Sequence, residues 1–153
     1  MQKEERKQVA YDCFKQGYNC AESVAIAFED VVGLERQLLV KMSVGFGGGF
    51  GRTRNLCGAV SSMGLVLGLV SNQGDDPQAD KTIVYKQIQQ VVGQFKERNT
   101  SDNCGELLKN IKSVTAGYVP QVRDEQYYAQ RPCLKFVLDS VEILSDFLEE
   151  MHK

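Results

Sequence analysis

Apolar residues recur along most of the chain at the three- and four-residue spacing of an α-helix. The two clearest stripes, each at positions i, i+4, i+7 and i+11, are Val84, Ile88, Val91 and Phe95, and Val137, Val141, Leu144 and Leu148. No window alternates with the two-residue period of a β-strand. The pattern predicts an all-α chain of about six or seven helices.

Capping and stop signals place the individual helices. Asn19 and Glu22 fit a capping box at a helix start, and Gly17 and Gly33 fit helix ends. The predicted helical segments are 4–16, 19–32, 35–44, 56–70, 76–98, 104–111 and from Pro132 onward. A turn is expected at 71–77, and residues 114–130 are expected to be irregular.

The segment Leu56–Val70 is the most apolar run in the sequence. Its length of about 15 residues is too short to cross a bilayer, which needs roughly 20. A helix that is apolar on nearly every face is expected to be buried. We therefore predict a single compact domain, residues 1–153, in which the other helices pack around this central one.

Composition narrows the functional classes. The formal net charge is −2, with basic residues spread along the chain, which argues against nucleic acid or a membrane surface as partner. The N-terminal sequence has no apolar signal region, so we expect a cytoplasmic protein. The only histidine is His152, beside the C-terminus, which argues against Ser-His-Asp, Cys-His and HExxH sites.

The five cysteines are the main candidates for chemistry. An odd number without an export signal argues against structural disulfides, and no CxxC pair is present. Four of them fall at predicted helix starts, where free N–H groups and the helix dipole lower a thiol pKa: Cys20, Cys57, Cys104 and Cys133. Cys13 lies in mid-helix and is expected to be structural. The alternative for all five is that they are small buried hydrophobic residues.

A second candidate is the glycine-rich segment Gly45–Arg54. Its possible binding residues are Gly47, Gly48, Gly49, Arg52 and Arg54. The segment matches neither phosphate-binding glycine motif, yet a nest of N–H groups with two arginines could hold an anion. Alternatively, the glycines permit a tight reversal that brings N–H groups to the sulfur atoms near Cys57.

These motifs in combination resemble a known family. GYNCAESV at 17–24, VGFGGGFGR at 44–52, CGAVS at 57–61, CGELL at 104–108 and the late Cys133 are similar to the C_GCAxxG_C_C family. The resemblance implies a redox-active protein with four characteristic cysteines, the same four that lie at helix starts. It also implies neighbouring transporter or oxidoreductase genes, and a prosthetic group such as an iron–sulfur cluster. Ser62 stands where the family pattern CGAxxG has its last glycine.

Three function classes follow. The first is a redox or electron-transfer protein whose four cysteines bind an iron–sulfur cluster, bind zinc, or form a thiol/disulfide couple. The second is an anion- or nucleotide-binding module built on Gly45–Arg54, with the cysteines only in the core and no cofactor held by them. The third is a helical subunit of an oxidoreductase complex, with its cysteines only in the core and Tyr118–Tyr128 as its contact surface. A homodimer is expected only because twofold dimers are common.

Overall fold

The computed structural model describes residues 1–153 and contains nine regular α-helices and no β-sheet. The helices are α1 (Lys3–Lys15), α2 (Cys20–Ile26), α3 (Glu29–Val32), α4 (Arg36–Ser43), α5 (Gly58–Ser71), α6 (Pro77–Asn99), α7 (Cys104–Leu107), α8 (Glu125–Gln130) and α9 (Cys133–Met151). Between α4 and α5 lie a 3-10 turn, Val44–Phe46, and a helical turn, Gly47–Phe50, distorted by positive φ at Gly48 and Gly49. The predicted all-α class is confirmed. The helix number exceeds the prediction because the segment 19–32 forms two helices and the segment 114–130 contains one.

Helix α5 is the predicted central helix. It packs against α2, α6 and α9, and Met63, Val66 and Leu67 are fully buried on it. It begins at Gly58, not at Leu56, because Leu56 forms an isolated antiparallel bridge with Asn103. None of the helices combines the length and the apolar surface that crossing a bilayer requires.

The two predicted stripes lie against this helix. In α9, all four stripe residues are buried, and in α6 the buried ones are Val91 and Phe95. The rings of Phe95 and Phe136 meet edge to face, with centroids 6.0 Å apart, and join α6 to α9. Most of the buried apolar side chains, 19 residues, form one continuous cluster that includes residues from α1, α2, α5, α6 and α9.

The predicted helix 19–32 is wrong as a single element. The chain breaks at Phe28, where φ is −118° and ψ is 16°, and helices α2 and α3 lie on either side. The break leaves the Ala27 carbonyl available, and Arg6 donates to it from Nη1 at 2.9 Å. The Arg6 guanidinium also stacks over the buried Phe28 ring at 4.8 Å. This long-range cation therefore stabilises a break that local spacing does not reveal.

Two other boundaries differ from the prediction. The short helix that starts at Cys104 ends at Leu107 instead of position 111. The stretch 114–130, expected to be irregular, includes α8, which Asp124 caps by accepting from the Tyr127 N–H at 2.9 Å.

Candidate functional site

Four helix starts carry the four predicted cysteines. Cys20, Cys104 and Cys133 are the first residues of α2, α7 and α9. Cys57 immediately precedes α5 and is its N-cap residue, so it lies one position before the observed helix, whereas the predicted helix 56–70 included it. We call these four residues the cavity cysteines, because all four line the same cavity.

Main-chain hydrogen bonds hold the starts of α5 and α7 together. On either side of the Leu56–Asn103 bridge, the Cys57 N–H donates to the Asp102 carbonyl at 2.7 Å, and the Cys104 N–H donates to the Asn55 carbonyl at 2.6 Å. Because both cysteine N–H groups are engaged across this bridge, the starts of α5 and α7 are fixed relative to each other.

The start of α2 is fixed by a capping box and by a contact from α5. The Asn19 side chain accepts from the Glu22 N–H, and the Glu22 carboxylate accepts from the Asn19 N–H, each at 2.8 Å. Ser62 is fully buried, and its hydroxyl donates to the Ala21 carbonyl at 2.6 Å. The serine that replaces the family glycine therefore ties the central helix to the first turn after Cys20.

The cavity has a volume of about 280 Å³. Besides the cavity cysteines, it is lined by four arginines and by no Asp, Glu, Lys or His. These cavity arginines are Arg52, Arg54, Arg123 and Arg131. Cys13 does not line the cavity and is buried elsewhere in the core. The structure thus separates the four predicted site cysteines from the fifth.

Burial is the largest influence on the pKa values of three cavity thiols. It raises the pKa of Cys20, raises that of Cys57 well above its usual value, and raises that of Cys133 to about 12. The N–H groups of Gly48 and Ala21 at Cys20, and of Ala59 and Val60 at Cys57, oppose this shift without overcoming it. The expectation of lowered thiol pKa values is therefore wrong for these three cysteines.

The cysteines also influence one another through their charges. After burial, a negative charge on Cys20 is the next largest influence raising the pKa of Cys57, and it does the same for Cys133. Cys104 in turn raises the pKa of Cys20. Cys20 therefore lies close enough to the other three cavity cysteines for their charges to interact. A metal centre bound by all four cysteines would lie beside the Cys20 sulfur.

Two glycines allow the main chain to approach the sulfur site closely. A Cβ on Gly58 would lie 2.7 Å from Cys20 Sγ and 2.7 Å from the Phe46 carbonyl oxygen. A Cβ on Gly49 would lie 2.6 Å from Cys104 Cβ, and its φ of +70° also favours glycine. The glycine after Cys57 and the glycine loop therefore fit around the cysteines.

The predicted residues of the glycine loop lie at the cavity, with one exception. Gly47, Gly48, Arg52 and Arg54 line it, whereas Gly49 packs behind Cys104. Phe50, Arg52 and Arg54 all have positive φ, at 73°, 65° and 63°. Such backbone is costly for non-glycine residues and is often found at functional sites.

Arg52 and Arg54 hold a neighbouring segment over the cavity. Arg52 donates to the carbonyls of Thr115, Gly117 and Val119 and to Thr115 Oγ1. Arg54 donates to the Thr115 carbonyl at 3.2 Å and to Cys104 Sγ at 3.7 Å. We call residues 115–119 the cover segment. Its Tyr118 is 89% exposed while also lining the cavity, so the cover segment forms part of the cavity mouth.

Sequence reasoning missed Arg123 and Arg131. Arg123 lies 4.4 Å from the centroid of the Phe14 ring and donates to the Phe14 carbonyl at 2.7 Å. Arg131 is 92% buried and lies 4.8 Å from the centroid of the Tyr127 ring. Both flank a short helix without a strong apolar period, so no local pattern marked them.

The donor set of the cavity is four cysteines, a set that iron–sulfur clusters and single soft metal ions both use. Four thiolates are the ligands of [2Fe–2S] and [4Fe–4S] clusters. A tetrahedral Cys₄ zinc site brings its sulfurs within about 3.8 Å of one another, given Zn–S bonds of about 2.3 Å. No three Cys, His, Asp or Glu side chains are grouped closely enough to hold one ion. A cluster distributes its thiolates over several irons and tolerates wider spacing.

Comparison with known proteins places this geometry in context. The family model described as "Putative redox-active protein (C_GCAxxG_C_C)" matches residues 18–147, which include all four cavity cysteines. A protein of Archaeoglobus fulgidus, described as an uncharacterized protein, is 26% identical over 155 residues, covering 96% of this chain and 95% of its own. No solved structure matches the chain.

Proposed function

The chain belongs to the C_GCAxxG_C_C family of redox-active proteins, and on that premise we propose that its cavity cysteines hold an iron–sulfur cluster that transfers electrons. The observation that supports this proposal is which of the five cysteines line the cavity. Every cysteine at a helix start lines one cavity, whereas the mid-helix Cys13 does not. A cluster, when bound, accepts and donates single electrons through its irons.

The residues around the cysteines support this assignment. N–H groups near Cys20 and Cys57 favour the thiolate form, as do N–H···S bonds to cluster ligands. Arg54 donates to Cys104 Sγ. Cys57 and Cys104 are buried, while Cys20 and Cys133 are partly buried, so protein surrounds much of the sulfur site. Because burial raises the pKa of three thiols, we expect them to lose their protons when the centre binds.

The test is anaerobic reconstitution with iron and sulfide, followed by visible absorption and by iron and acid-labile sulfide analysis. We expect stoichiometric iron and sulfide in the unmodified chain. A serine substitution at any one cavity cysteine should abolish or strongly reduce both. Cys13→Ser is the matched control and should retain them. Equal loss at Cys13, or no loss at any cavity cysteine, would reject the assignment.

A thiol/disulfide couple is the second candidate, and the position of Cys20 favours it. Its Sγ lies against the backbone at Gly58, directly after Cys57. In such a couple, two thiols lose two electrons and two protons and form one S–S bond. Mild oxidation of the metal-free chain, followed by peptide mass mapping, should then yield a disulfide between Cys20 and Cys57. Five free thiols after oxidation would reject this alternative.

A further inference from the structure

The lining of the cavity is unusual in its charge. The chain has 20 acidic residues and a net charge of −2, yet no carboxylate lines the cavity, while four of its guanidinium groups do. Three of these four have hydrogen-bond acceptors: Arg52 and Arg54 on the cover segment, and Arg123 on the Phe14 carbonyl. Arg131 is the exception.

Arg131 is a buried cation without an acceptor on one edge. The residue is 92% buried, and its Nε and Nη2 make no well-oriented hydrogen bond. Arg131 nevertheless lies close enough to Cys133 to lower the pKa of that thiol through its charge and hydrogen bonding. The Tyr127 ring covers the face of the guanidinium, at 4.8 Å, but a ring face does not accept the in-plane N–H groups. Nε and Nη2 form the edge that arginine uses to bind anions with two parallel hydrogen bonds. Burying such a cation without an anion is unfavourable.

No carboxylate in the cavity lining supplies that anion. Cys133 follows Arg131 by two residues and lines the same cavity. A thiol is a weak hydrogen-bond acceptor, whereas a thiolate or a cluster sulfide carries negative charge. An anionic centre bound at the cysteines would therefore supply the negative charge that the cavity lining lacks.

We propose that the cavity is built for a centre with net negative charge, and that Arg131 is the residue that compensates this charge. This inference rests on the proposed cluster. Four thiolates bring more negative charge than a [2Fe–2S] or [4Fe–4S] core brings positive charge, so the ligated cluster is an anion. One added electron makes it more negative, and a buried cation beside it favours the reduced state. Arg131 thus raises the reduction potential.

The experiment compares Arg131→Met, which removes the charge with little change in volume, with Arg131→Lys, which keeps it. Arg98→Met is the control for net charge, because Arg98 pairs with Asp139 and Glu142 and does not line the cavity. Each chain is reconstituted anaerobically, and its potential is measured by redox titration followed by absorption. Thermal unfolding of each metal-free chain is the second readout.

We expect Arg131→Met to lower the ratio of reduced to oxidised cluster at least tenfold at a fixed potential, a shift of about 59 mV for one electron. Arg131→Lys should recover much of this shift, and Arg98→Met should show none. The metal-free Arg131→Met chain should unfold at the same or a higher temperature than the unmodified chain.

Two results would overturn the inference while leaving the cluster in place. One is a loaded Arg131→Met chain with an unchanged potential. The other is a metal-free Arg131→Met chain that unfolds at a clearly lower temperature, since this would give Arg131 a purely structural role. If the unmodified chain takes up no cluster, the proposed function fails, and this inference fails with it.

Discussion

Replacement of Gly58 by alanine tests how closely the central helix fits the sulfur site. The added Cβ would lie 2.7 Å from Cys20 Sγ, 2.7 Å from the Phe46 carbonyl oxygen and 3.3 Å from Ala21 Cβ. Carbon atoms at optimal separation lie about 3.5–4.0 Å apart, so the first two contacts are short by most of an ångström. Either Cys20 rotates out of the cavity or the backbone at Phe46 moves.

The expected magnitude combines two opposing effects. Overpacking of a close-packed site costs about 1–3 kcal/mol, and the better helix propensity of alanine offsets up to about 1 kcal/mol. We expect Gly58→Ala to reduce the free energy of unfolding by about 1–2 kcal/mol, which lowers the Tm by roughly 2–8 °C for a chain of this size. If Cys20 rotates away instead, the Tm changes little but cluster uptake is lost.

The matched control is Gly68→Ala on the same helix. A Cβ on Gly68 meets nothing within 4 Å, and the residue lies inside the helix. Alanine there should stabilise the chain by about 0.5–1 kcal/mol. The assays are thermal unfolding of the metal-free chains and iron analysis after reconstitution. A Gly58→Ala chain with an unchanged Tm and full iron content would refute the reasoning, as would equal losses in both variants.

Three further predictions follow from other contacts. Ser62→Gly removes a buried hydrogen bond to Ala21 and adds a helical glycine, so the free energy of unfolding measured in denaturant should fall by about 1–2 kcal/mol; an unchanged value would contradict the role of the hydroxyl. Burial raises the folded-state pKa of Cys133 to about 12, so the stabilising contribution of this thiol is complete below the unfolded thiol pKa of about 8.5 and is lost as the pH rises toward 12. In denaturant titrations of the metal-free chain, the free energy of unfolding should therefore fall above about pH 8.5 by up to about 1.4 kcal/mol per pH unit because of this thiol. Cys133→Ser should reduce the dependence of that free energy on pH, and an identical dependence in both chains would reject the prediction. Arg52→Ala removes the four hydrogen bonds by which Arg52 holds the cover segment. At roughly 1 kcal/mol per bond, the cavity cysteines of the metal-free chain should be alkylated at least about tenfold faster. Unchanged alkylation rates would show that the cover segment does not limit access to the cysteines.

The sequence predicts well whatever depends on neighbouring residues. The stripes in α6 and α9 and the capping box at Asn19 are local signals, and the structure confirms them. The placement of the cysteines at helix starts is local as well, and it depends on cap residues such as Asn103.

What the sequence could not predict depends on contacts between distant residues. The break at Phe28 is stabilised by Arg6, which lies 22 positions earlier in the chain. The starts of α5 and α7 are paired through main-chain groups, which leave no side-chain pattern. Arg131 lies in the link between the short helix α8 and the long helix α9, and its burial against Tyr127 follows only from the tertiary fold.

The wrong expectation about thiol pKa values has a consequence for how the site works. Helix starts do supply N–H groups that favour thiolates, but removal from water outweighs them for Cys20, Cys57 and Cys133. These thiols are therefore neutral in the metal-free chain at physiological pH, while the cavity arginines remain charged. Under the proposed function, a cluster bound there would convert these thiols to thiolates and would supply the anion that Arg131 lacks. We therefore expect ligand binding to release protons, and this release can be measured during reconstitution.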